Sequence, residues 1–74
     1  MEKRKMFYVT FELKHREIHH TTLPFLPRAD DHMIINGMTY IALKVEYDLS
    51  AYQGQNGSAI PARVVIRRKT DNDF

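Results

Sequence analysis

Asn36-Gly37, set between the apolar runs "HMII" and "TYIALKVEYDL", commits this chain to at least one tight antiparallel hairpin. Asn-Gly suits a two-residue type I′ turn, where both central residues need positive φ and the turn's twist matches that of paired strands. The long run after it alternates. Ile41, Leu43, Val45, Tyr47 and Leu49 fall on one side, expected inward, and Tyr40, Ala42, Lys44, Glu46 and Asp48 on the other. That is the pattern of an antiparallel strand with one wet face.

The same period of two recurs elsewhere. In "KMFYVTFELK", Phe7, Val9, Phe11 and Leu13 share a face, with Tyr8, Thr10 and Glu12 opposite. Helical spacing also fits Phe7, Phe11 and Ile18. Tyr-Val-Thr-Phe, however, makes a poor helix interior, because such side chains lose rotamer freedom against the preceding turn. "KHRE" reads as a polar turn, and "IHHTTL" as a second strand with Ile18 and His20 on one face and His19, Thr21 and Leu23 on the other. Pro24 and Pro27 interrupt regular pairing, and Phe25-Leu26 between them is expected to fold back as a cap over one end of the core. In "IPARVVIRRK", Ala62, Val64 and Ile66 point inward and Arg63, Val65 and Arg67 outward; Pro61 fits an edge or a first strand position. "SAYQGQNGSA" reads as a flexible loop at about 50–59, and 70–74 as a frayed tail.

Five short strands separated by turn signals predict an all-β single domain over 1–74, with little or no helix. The expected architecture is a small five-stranded antiparallel barrel that closes on itself, with first and last strands paired antiparallel. At 74 residues the chain buries only about 60% of its unfolded surface. The 43% of apolar residues suffices for one core. Cysteine is absent, so disulfides and thiolate zinc sites are excluded. No apolar run approaches the roughly 20 residues that span a bilayer, and the N-terminal segment lacks the apolar stretch of a signal peptide. A cytoplasmic location is expected.

The tract "LPFLPRADDHMIINGMTYIALKVEYDL", Leu23 to Leu49, resembles one found in small, mostly uncharacterised SH3-like β-barrel proteins of bacteria and phages. In those a proline-led loop reaches a Gly-Asp pair, followed by a short strand, a glycine turn and a Tyr-x-Val strand. Asp30 stands here in place of that glycine, so the turn entering the strand is expected to be built differently. The resemblance implies the fold class and no activity.

Chemistry is sparse. His15, His19, His20 and His32, with Asp30 and Asp31 beside the last, are the residues from which a zinc or nickel site could be assembled. His19 and His20 point to opposite faces of a strand, and no recognised ligand spacing is present. No nucleophile elbow and no phosphate loop appears, since "GQNG" lacks both lysine and a following helix. Neither enzyme activity, cofactor, membrane contact nor small-molecule substrate is expected.

Two binding readings are left. Phe25, Leu26, Met33, Met38 and Tyr52, with Phe74, are more apolar residues than so small a barrel needs, which suggests a protein-interaction or assembly module, self-associating or bound to another protein. Alternatively, Lys3, Arg4 and Lys5 at one terminus and Arg67, Arg68 and Lys69 at the other would gather in an antiparallel pair and bind nucleic acid, with Arg63, Tyr8 and Tyr40 adding to that surface. Glu2, Asp71 and Asp73 flank the same clusters and oppose them.

Overall fold

The computed structural model describes residues 6–48 and 59–70. Residues 1–5, 49–58 and 71–74, which include Lys3, Arg4, Lys5, Tyr52 and Phe74 and most of the expected loop at about 50–59 and tail at 70–74, lie outside the described residues. Five strands form: β1 (Phe7–Leu13), β2 (Arg16–Leu23), β3 (His32–Ile35), β4 (Met38–Tyr47) and β5 (Ile60–Arg68). No helix occurs among the described residues. The strands make one curled sheet in the order β2-β1-β5-β4-β3, a half-barrel whose edges are β2 and β3.

The all-antiparallel expectation is corrected. β1 pairs with β2, β3 with β4 and β4 with β5 antiparallel, but β1 and β5 run parallel, with Phe7 beside Ile60 and Leu13 beside Ile66. Two hairpins therefore flank a central strand, and β5 is inserted between β1 and β4. Pro61 consequently sits near the start of an interior strand and not on an edge. The connection from β2 to β3 carries the chain from one edge of the sheet to the other, and Leu26 within it packs against the core. Its neighbour Phe25 is 63% exposed, so only half of the expected cap covers anything.

Both hairpin turns need left-handed backbone. Asn36 and Gly37 have φ of 51° and 86°, the pair that the Asn-Gly motif predicts. Lys14 and His15, at 53° and 67°, take the same conformation without glycine. For ordinary L-residues it costs roughly 1–2 kcal/mol each. Asp30, at 75°, also enters this region, which short polar side chains tolerate. It thus adopts the conformation a glycine would favour there. The Asp30 N–H donates to the Ala42 carbonyl at 2.7 Å and the Ala42 N–H to the Asp31 carbonyl at 2.9 Å, so "DD" fastens the loop to β4.

The core lies on one face of the sheet. Val9, Ala42 and Val64 are wholly buried, with Phe11, Tyr40, Ile35, Ala62 and Ile66 around them, and Phe7, Leu13, Ile18, Leu23, Met33 and Val45 close its margin. Fully burying a valine or phenylalanine contributes about 1.5–3 kcal/mol, so these side chains hold the fold together. The parallel register places Val9 beside Ala62 and Phe11 beside Val64 on this face, as alternation in both strands requires.

Strand β4 departs from its apparent alternation. Tyr40, Ile41 and Ala42 are all buried, whereas Leu43 is 48% exposed. The cause is a bulge. Ala42 pairs with Ile66, yet Lys44, not Leu43, pairs with Val65. The extra residue reverses the phase, so that Tyr40 and Ala42 face the core before it and Val45 does after it. Tyr47 lies in the same phase at the margin against Phe7, and Ile41, paired with Arg67, is buried on the opposite face. A second bulge lies in β2, where Phe11 opposes His19 and Glu12 opposes Glu17, which leaves Ile18 unpaired and packed at the core margin.

Leu43 is therefore a removable residue. Deleting it would leave Tyr40, Ala42 and Val45 in strict alternation on the core face, and a folded protein with a cooperative melt is expected. If β4 were regular and Ile41, Leu43, Val45 and Tyr47 shared a buried face, the deletion would move Val45 and Tyr47 to the opposite side, and circular dichroism would show an unfolded chain.

Candidate interaction surfaces

The two sheet edges differ in kind. β2 carries Arg16, Glu17, His19 and His20 and contains a bulge; charge and bulges both discourage pairing by a further strand. β3 pairs with β4 without a register shift and carries no aspartate, glutamate, lysine or arginine. Ile34, on its outer face, is 73% exposed, the most exposed large apolar side chain among the described residues. Hairpin geometry fixes its backbone too. A two-residue turn makes Ile35 and Met38 a hydrogen-bonded pair, so Ile34 and Thr39 form the adjoining unbonded pair. The Thr39 carbonyl accepts from the Lys69 N–H on the β5 side at 3.0 Å, as this phase demands. Ile34 thus offers its N–H and C=O to the open edge.

Of the five apolar residues expected at an interface, Phe25 and Met38 are exposed, at 63% and 43%. Leu26 and Met33 pack against the core, and Tyr52 lies outside the described residues. Ile34 was legible and missed: counting back from Asn36-Gly37 pairs Ile34 with Thr39, and the polar Thr39 marks that pair as outward.

The convex face is charged. Arg63 in β5 reaches Glu46 of β4 through Nε at 3.1 Å and a terminal nitrogen at 2.5 Å, and Glu12 of β1 at 3.9 Å; Lys44 adds a contact to Glu46 at 3.1 Å. The register explains the ladder, since Arg63 pairs with Thr10 on one side and Glu46 on the other. Hydrogen bonds from Arg63 and then Lys44 hold the Glu46 carboxyl below the usual glutamate value, and the bond to Glu46 raises Arg63. Arg63 is thus engaged by carboxylates. The pair stabilises the fold fully above the ordinary glutamate value of 4.5, and that contribution is lost as pH falls from there through the lowered folded value. The Tm difference between wild type and Glu46→Gln is accordingly expected to shrink across that window. A difference indifferent to pH would show that Glu46 gains nothing from its cations.

The parallel pairing removes the antiparallel contact that was to gather the two terminal basic clusters. It instead sets the Lys14-His15 turn beside the end of β5. There an open groove of ≈ 740 Å³ runs between β1, β5 and β4, and Arg67 and Arg68 line it with Lys14. Lys69 follows, with its N–H on Thr39. Tyr40, expected outward, is 6% exposed and belongs to the core. Tyr8 is 43% exposed beside the His20 ring at 5.7 Å.

The histidines do not converge. His20 bonds Glu17 at 2.8 Å, His19 stacks on Phe11 at 5.9 Å, and His32 lies on the far edge. Asp31 takes the Arg28 N–H on its carboxylate at 2.8 Å. Among the described residues no three His, Asp or Glu side chains come together to hold a metal ion, and no helix is long and apolar enough to cross a membrane. No family model, curated protein or solved structure matches the chain.

Proposed function

We propose that this protein is a non-enzymatic, cytoplasmic interaction module that pairs with another chain, in the first instance a second copy of itself, along the open edge of β3. The observation that carries this is the contrast between the edges: β2 is charged and bulged, whereas β3 presents unpaired backbone beside an exposed Ile34. Edge strands with these properties template pairing with further strands. The pairing leaves Phe25 and Met38 as candidates for the flanking contacts, and association adds the buried surface that a 74-residue chain lacks. The likeness of Leu23–Leu49 to small SH3-like barrels points to a bacterial or phage-associated assembly.

The test is the solution mass at low and high salt, with and without a short DNA or RNA. A dimer that resists salt and ignores nucleic acid is expected; a monomer at all concentrations would overturn the reading. A second reading, nucleic-acid binding, is favoured by one observation, the meeting of Lys14 with Arg67 and Arg68 in one groove. It predicts a mass shift with nucleic acid that disappears steeply as salt rises.

A further inference from the structure

The convex groove has a floor and a rim of different chemistry. Leu43, turned outward by the β4 bulge, and Val65 supply aliphatic surface, with Leu13 at one end. Lys14, Lys44, Arg67 and Arg68 surround it. The two carboxylates that line it, Glu12 and Glu46, are both held by Arg63, and Lys44 also contacts Glu46. Lys14 and Arg68 have no acidic partner among the described residues. The groove is therefore electropositive at its turn end while its centre is apolar.

We infer that this groove is a docking site, separate from the β3 edge, for an acidic peptide segment of a protein partner that inserts an aliphatic side chain between its carboxylates. Charge complementarity selects an anionic occupant, and the floor selects among anions. No phenylalanine, tyrosine or tryptophan lines the groove, and its one ring is the imidazole of His15, in the turn after β1. A single-stranded nucleic acid draws much of its affinity from successive bases stacked on aromatic side chains. On the floor the bases would meet the branched aliphatic carbons of Leu43 and Val65, with the single His15 ring outside it. A leucine or isoleucine flanked by aspartate or glutamate matches both parts: the aliphatic group covers Leu43 and Val65, and the carboxylates reach Lys14 and Arg68. The bulge acquires a role in this arrangement, since bulges re-aim side chains and this one places Leu43 in the groove.

The test is fluorescence anisotropy of the full chain with four labelled probes. These are an acidic peptide with one central leucine, the same peptide with serine for leucine, the same peptide with its acids amidated, and an oligothymidine of similar length. The acidic leucine peptide is expected to bind most tightly, and the other three at least about tenfold more weakly. Lys14→Glu with Arg68→Glu should weaken the leucine peptide by about tenfold or more, and Leu43→Ser should erase its advantage over the serine peptide. Both changes lie on exposed positions, and an unaltered circular dichroism spectrum and solution mass establish that each variant is folded. Equal binding of the leucine and serine peptides would overturn the role of the floor. Tighter binding of oligothymidine would assign the groove to nucleic acid, and failure of the leucine peptide to bind would overturn the proposal outright. None of these outcomes depends on whether the β3 edge self-associates.

Discussion

Phe11→Ala is expected to remove about 3–5 kcal/mol from the stability of the fold. Phe11 is 4% exposed and sits where β2, β1 and β5 meet, opposite His19 on one side and Val64 on the other. Truncating a buried phenylalanine costs about 3–5 kcal/mol, because the lost transfer energy is joined by that of a cavity which the neighbours fill only in part. Domains have about 0.05–0.15 kcal/mol of stability per residue, which gives this chain about 4–11 kcal/mol in all. The loss is therefore a large share of the total. Denaturant titration should show a large fall in the midpoint, whereas Leu43→Ala, at an exposed bulge, should change the unfolding free energy by no more than about 0.5 kcal/mol and leave the midpoint nearly in place. Similar midpoints for the two variants would mean that the inward face has been assigned wrongly.

Ile34→Lys should abolish self-association while leaving the fold intact. At 73% exposure the side chain makes few contacts within its own chain, so monomer stability should scarcely change. Across a two-fold β3 pair the substitution acts twice. Each copy forfeits about 1.5–3 kcal/mol of apolar burial, and two ammonium groups are brought together. A loss of about 3 kcal/mol or more weakens association over a hundredfold. The solution mass should fall to that of one chain. The lysine variant and the double charge reversal in the convex groove address different surfaces, so each should leave the other's readout unchanged.

Much of this fold is written locally. The Asn36-Gly37 turn, the inward faces of β1 and β5, and the polar reversal at Lys14-His15 follow from alternation and turn chemistry, and the structure places them as that chemistry requires. What escaped was long-range. Nothing in "KMFYVTFELK" or "IPARVVIRRK" states whether the two run parallel or antiparallel, because both arrangements put the same side chains inward. That single ambiguity determined where the basic residues of β5 lie and with which partners. The β4 bulge is hidden for a different reason. Ile41, Leu43, Val45 and Tyr47 form an apolar alternation good enough to be read as the core face, while Tyr40 and Ala42 are too ambiguous in character to object. Only the neighbouring strands, which pair Ala42 with Ile66 and Lys44 with Val65, reveal the change of phase. The candidate surfaces depend on these features. The groove needs the parallel pair and the bulge, and so could not be read from the chain, whereas the exposed position of Ile34 needed only the turn.

The most direct measurement of the central claim is residue-resolved amide hydrogen exchange as a function of protein concentration. If β3 pairs with a second chain, the Ile34 and His32 amides should gain protection as concentration rises, and those of β2 should not. Protection that grows on β2, or an Ile34 amide that exchanges freely at every concentration, would contradict pairing along β3.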